Sequence, residues 1–184
     1  MRSIIGITGA PGAGKSTFAA RLAAERGGVH LPMDGFHLPD VTLRRLGLLD
    51  RKGAPETFDA WGFAALLARL RAAPPEDVYA PGFERDLEQP VAAAVVVPPG
   101  TGLVVTEGNY LLLDRPEWRA VRSQLDEVWF LRCEEEVRRS RLVARHIEFG
   151  KSPEDAERWV SRVDDPNAAL VAPTAPFADK IVTI

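Results

Sequence analysis

The chain has 184 residues, 46% hydrophobic and 27% charged, with a formal net charge of −3, about one domain's worth of an ordinary globular composition at roughly 150 residues per domain. A single cysteine, Cys133, excludes a disulfide framework and a cysteine-based metal cluster, and His30, His37 and His146 show no metal-ligand spacing. The longest purely apolar run, 91–97, is far short of the ~20 residues that span a bilayer, residues 1–3 lead straight into a strand-like run without a signal-peptide region, and the slightly acidic balance disfavours nonspecific nucleic-acid binding.

Short apolar runs alternate with longer amphipathic stretches, the pattern of an α/β domain with a largely parallel sheet. In chain order the pattern predicts a strand at 3–8, a helix at 15–26, a strand at 29–33 and a helix at 57–72. Strands follow at 103–107, 127–132 and 181–184, with helices at 116–124, 134–149 and 153–163. The strands at 29–33, 103–107 and 127–132 read as buried on both faces. Gly150 ends one helix, and Ser152-Pro153-Glu154-Asp155 starts the next with a cap, a first-turn proline and two acids at the positive end. Residues 73–99, with Pro74-Pro75, Pro81-Gly82, Pro90 and Pro98-Pro99, read as an irregular insertion carrying substrate-binding loops. Neither flank is long enough to stand alone, so 1–184 reads as one domain.

The first strand runs into Gly9-Ala10-Pro11-Gly12-Ala13-Gly14-Lys15-Ser16-Thr17, a G-x-x-x-x-G-K-S string between a buried strand and an amphipathic helix. Glycines let the backbone wrap so that successive N–H groups face phosphate oxygens, and the new helix adds its positive end. Lys15 supplies a charge for the β- and γ-phosphates, Ser16 a hydroxyl for Mg²⁺, and Thr17 a contact for the α-phosphate. A nucleoside triphosphate with Mg²⁺ is the expected ligand.

In doubly wound sheets ligands sit beyond the carboxyl ends of strands. Asp34 and Glu107 fall at two such ends. Asp34 is the expected proton acceptor and Glu107 the expected Mg²⁺-associated carboxylate. An ordinary Asp-Gly turn and a capped strand end are the plainer alternatives. Arg138, Arg141 and Arg145 lie at i, i+3 and i+7 on one helical face, suited either to neutralising a transferred phosphoryl group or to pairing with surface acids such as Glu134. Gly150-Lys151 marks a hinge, which makes 134–152 a candidate lid.

The loop above, Met33-Asp34-Gly35-Phe36-His37, Arg51-Lys52-Gly53-Ala54-Pro55-Glu56-Thr57-Phe58-Asp59 and Thr106-Glu107-Gly108-Asn109-Tyr110 occur in this order. Together they resemble the P-loop kinase family of uridine kinase, phosphoribulokinase and bacterial type I pantothenate kinase. The branch most like it carries the names "nucleoside/nucleotide kinase" and "fructose transport system kinase". The resemblance implies a three-layer P-loop NTPase fold with a mainly parallel sheet and helices on both faces. It further implies ATP and Mg²⁺ as cofactors, a small-molecule hydroxyl acceptor, and a homodimer as an open option, while composition makes a soluble, reducing cytoplasmic compartment the default expectation.

Carried over by position, the resemblance makes Asp34 the base, places Glu107 at metal and substrate, and brings Arg141 and Arg145 to the phosphates. His146 stands where the family has an acid, so that role does not transfer. For the acceptor pocket it points to Phe36, His37, Arg51, Lys52, Tyr79, Phe83, Arg85 and Asn109. Phe36 and Phe83 suit a core equally, and Tyr79 a strand. The resemblance thus predicts an ATP-dependent kinase acting on a hydroxyl of a nucleoside, pantothenate-like or sugar acceptor. A regulatory NTPase and a silent kinase-fold partner are the alternatives. Asp50-Arg51-Lys52-Gly53 matches D-x-x-G, but no buried strand precedes it and no guanine-reading string follows.

Overall fold

A computed structural model describes residues 2–184. The strands are β1 (Ser3–Thr8), β2 (Val29–Pro32), β3 (Val78–Glu84), β4 (Gln89–Val97), β5 (Leu103–Glu107), β6 (Glu127–Arg132) and β7 (Lys180–Thr183). The helices are α1 (Lys15–Glu25), α2 (Asp40–Leu46), α3 (Ala60–Arg71), α4 (Pro116–Arg122), α5 (Glu135–Glu148), α6 (Pro153–Trp159) and α7 (Asp165–Val171). β1 is apolar on both faces because both faces are covered, and it occupies the centre of a sheet ordered β2-β5-β1-β6-β7. All its pairings are parallel.

Strand alternation divides the core into two layers. Ile5, Ile7 and Val105 face Ala19, Leu22 and Ala23 of α1. Ile4, Val104 and Val128 face Phe63 and Leu67 of α3 and Trp118 and Val121 of α4. The result is the expected three-layer P-loop arrangement, a parallel sheet between helices. Among the described residues no helix is long and apolar enough to cross a membrane.

Several elements depart from the sequence reading. β2 is an edge strand, only partly buried, and stops at Pro32 because Met33–Phe36 coil into a 3₁₀ turn. α3 begins at Ala60, three residues later than expected, because Asp59 caps it by accepting from the Gly62 amide at 2.8 Å. The helix expected to reach residue 163 stops at Trp159 and passes through a π-helical turn, Val160–Asp164, into α7.

The insertion is regular. β3 and β4 form an antiparallel hairpin with an irregularity between Ala80 and Gly82, and its prolines sit in a two-stranded ribbon apart from the main sheet. This hairpin presses on the Met33–Phe36 turn closely enough that a Cβ on Gly35 would run into the Pro81 carbonyl oxygen.

The topology gathers the carboxyl ends of three neighbouring strands. Ile7 and Pro32 both register with Glu107, and the Gly108 amide donates to the Ile7 carbonyl at 3.0 Å. The loops after β1, β2 and β5 therefore open side by side.

Candidate active site

The loop after β1 is built to present backbone donors. Gly14, at φ 81°, opens α1 with no side-chain cap, which leaves the first-turn amides for an outside acceptor. Gly12, at φ 80°, cannot carry a side chain: its Cβ would lie 2.7 Å from the Arg138 carbonyl oxygen. Ala13 closes the loop on Ala10 through an amide–carbonyl bond of 3.1 Å. Lys15 is 7% exposed and donates to the Ala10 carbonyl at 3.0 Å. Burial pulls its pKa down to about 8, opposed by the carboxylates of Glu107 and Asp34. Gly9, Ala10, Pro11 and Ala13 complete the loop, while Thr17 is exposed on the first turn of α1.

Ser16 donates its hydroxyl to Glu107 Oε1 at 3.0 Å, and the Nε2 of His30, without a hydrogen-bond partner, lies 3.7 Å from the same oxygen. A hydroxyl and a buried carboxylate at a helix start suit Mg²⁺, a hard cation that takes few protein oxygens and completes its shell with phosphates and water. Ser16 and Glu107 are thus the residues able to hold it.

Beyond the loop lies a cavity of about 640 Å³ whose walls include Lys15, Ser16, Asp34, His37, Lys52, Phe83, Arg85, Glu107, Asn109 and Arg145. Asp34 comes from the turn after β2, and its Oδ2 accepts from Arg85 Nη2 at 2.6 Å. Burial alone would raise the Asp34 pKa, but His37, Arg85, Arg145 and Lys15 hold it below the usual carboxylate range. The His37 ring lies 3.9 Å from that of Phe58 and 5.1 Å from that of Phe83. Burial lowers its pKa to about 4, so His37 is neutral near pH 7 and its Nε2, 3.8 Å from Asp34 Oδ1, makes no ion pair there.

Other expected residues lie elsewhere. Phe36 belongs to the core, its ring 4.7 Å from that of Phe63. Tyr79 is 56% exposed on the hairpin, on the opposite strand face from buried Val78 and Ala80, and does not reach the cavity. Arg51 points outward and pairs with Glu56. These three leave the acceptor pocket.

The arginine stripe separates by depth. Arg138 is 2% exposed and donates to the Pro11 carbonyl at 3.3 Å and to Asp165 at 2.7 Å. It is a strut beneath the loop. Arg141 is exposed outside the cavity, its Nη1 3.6 Å from Cys133 Sγ and close to Gly14. Arg145 alone lines the cavity.

Among the wall residues that escaped the sequence reading are Asp164 at the π-helical turn and Asn167 on α7. Asp164 meets His146 Nε2 at 2.8 Å, and Asn167 donates to the Gly53 carbonyl at 3.3 Å. A buried acid and amide in 160–168 were the available signal, and π turns gather at functional sites.

Residues 5–159 match the family model described as "AAA domain". An Aspergillus versicolor protein named ATP-dependent kinase-like protein notR' is 39% identical over 132 residues, covering 67% of this chain and 76% of its own length. A Schizosaccharomyces pombe protein bearing a uridine kinase name is 35% identical over 183 residues, covering 92% and 78%. A solved structure from Silicibacter sp. TM1040, described as a fructose transport system kinase, superposes with a TM-score of 0.89 at 37% identity, over 98% of this chain and 89% of that one. The parallel sheet, the lysine loop and relatives aligned along most of both chains lead to one conclusion: the chain belongs to the P-loop kinase family.

Proposed function

We propose that this protein transfers the γ-phosphate of ATP to a hydroxyl of a small metabolite. The observation that carries the reading is the meeting of Lys15, Ser16, Glu107 and the Asp34 carboxylate in one cavity. The kinase names of the relatives support it, and the names of uridine and fructose transport system kinases agree with a small hydroxyl-bearing acceptor.

In this reading the glycine loop and Lys15 hold the phosphate tail, and the acceptor lies between Asp34 and the hairpin. Ser16 and Glu107 would hold Mg²⁺, which supplies charge neutralisation on the phosphates. Asp34 takes the hydroxyl proton while the acceptor oxygen bonds to the γ-phosphorus. The bond from phosphorus to the bridging oxygen breaks, and its electron pair leaves on ADP. Lys15 and Arg145 balance the charge on the moving group. Residues 134–152 act as a lid that brings in Arg141 and keeps out water, a smaller nucleophile than any metabolite.

The test compares ATP turnover alone with turnover in the presence of small-molecule extract. Turnover rises with extract if the chain is a kinase; equal turnover in both would favour a regulatory NTPase. Asp34→Asn keeps nucleotide affinity and loses about 10²–10⁴-fold in transfer, the usual worth of a positioned base. An unchanged rate would remove Asp34 from that role.

A further inference from the structure

We propose that the acceptor carries a carboxylate close to its reacting hydroxyl, and that Arg85 binds this carboxylate in exchange for Asp34. The inference rests on the kinase reading and narrows its substrate class. Three basic residues were expected at the acceptor pocket, and two are committed elsewhere. Arg51 pairs with Glu56 off the cavity. Lys52, with 13% of its side chain exposed, donates to Asp40 Oδ1 at 2.7 Å and to the Glu88 carbonyl, and so ties the hairpin tip to α2.

Arg85 remains. Its side chain is 37% exposed on the cavity wall, and among the described residues its only hydrogen bond runs from Nη2 to Asp34. Nε and Nη1 are left over, and a guanidinium presents its donors as a planar fork matched to a carboxylate. The Phe83 ring, 5.0 Å from the guanidinium carbon, supports that plane from one side.

Position sets the size of the ligand. Because Nη2 already touches Asp34, an anion on the same guanidinium lies only a few ångströms from the carboxylate that receives the hydroxyl proton. One small molecule spans both groups when its hydroxyl is within two or three carbons of its carboxyl. Charge sets the valence. Six carboxylates and five Lys or Arg side chains line the cavity, with Lys15 and Arg145 turned to the nucleotide in the kinase reading. One guanidinium with donors to spare suits a carboxylate monoanion better than a phosphate dianion.

The exchange also explains how the base is kept idle. The proton affinity of Asp34 is lowered by His37 and then by Arg85, its hydrogen-bond donor. An acceptor that draws Arg85 onto its own carboxylate removes that part of the lowering as its hydroxyl arrives. Water carries no such charge and leaves Asp34 engaged.

The experiment incubates the full chain with γ-labelled ATP, Mg²⁺ and a protein-free metabolite extract, and identifies the labelled product by mass spectrometry. The expected product is a phosphorylated hydroxy acid, and its analogue with the carboxylate reduced to an alcohol reacts about 10–100-fold less efficiently, the worth of a charged hydrogen bond. Arg85→Met raises the acceptor KM by a similar factor, leaves the ATP KM unchanged and increases acceptor-independent hydrolysis, and Arg85→Lys recovers part of the acceptor affinity. A phosphorylated product whose acceptor carried no charge, a sugar phosphate acceptor, or an unchanged acceptor KM in an Arg85→Met protein with a wild-type melting curve would overturn the acceptor class and leave the kinase reading intact. No labelled product despite measurable ATP binding would overturn the kinase reading itself.

Discussion

Lys15 is a cation whose charge depends on pH within the working range of most enzymes. Its ammonium persists below about 8 and is lost above it, because burial penalises the charged form. The profile of kcat/KM for ATP reports the free protein, so it falls about tenfold per pH unit on the alkaline side of that value, and a flat alkaline limb would contradict the burial argument. Stability moves the other way. The folded pKa lies below the unfolded one, so the unfolded chain binds more protons between about 8 and the ordinary lysine value. This group's contribution to stability therefore rises with pH across that window. Lys15→Met removes that slope in melting curves and weakens ATP binding. Lys15 was legible because its motif is contiguous. The Arg85–Asp34 contact joins residues 51 apart, and no local spacing encodes it.

α5 shows what helical spacing conveys and what it omits. Spacing placed Arg138, Arg141 and Arg145 on one face, but only packing assigns each a depth. Arg138→Ala takes a buried guanidinium away from the Pro11 carbonyl, Glu135 and Asp165, although Asp165 keeps Arg139, and costs about 1–3 kcal/mol, the range for leaving a buried polar group unsatisfied. Arg145→Ala keeps stability within about 0.5 kcal/mol, as surface substitutions do, and lowers turnover strongly. Melting curves and kinetics on both variants check the division, and a common loss of stability would return Arg145 to a structural role. Elements with clear periodicity, such as β1, β5 and α1, were legible to within a residue. The hairpin was not, because β4 turns Ala92, Ala93 and Ala94 outward together with Val91 and Val96, which erases polar–apolar alternation. α2 is too short to show a period.

At the scale of the whole molecule, function follows from strand order. A parallel sheet ordered β2-β5-β1-β6-β7 brings the phosphate loop, Glu107 and Asp34 together at the carboxyl ends of three neighbouring strands, although they lie far apart in the chain. The sequence contained each part, and the strand order explains why they meet. Ligand binding should stabilise the whole fold: ATP with Mg²⁺ at a hundred times its Kd adds about 2.7 kcal/mol by mass action. Chelating the metal reduces the gain, and no rise in Tm with nucleotide would contradict a site at the loop. The most direct measurement is a crystal structure with a nonhydrolysable ATP analogue and Mg²⁺. The expected result has the phosphates wrapped by residues 9–16, with the Asp34 carboxylate facing the terminal phosphate across a gap wide enough for one hydroxyl. Phosphates bound away from this loop, or Asp34 turned out of the cleft with the lid closed, would contradict it.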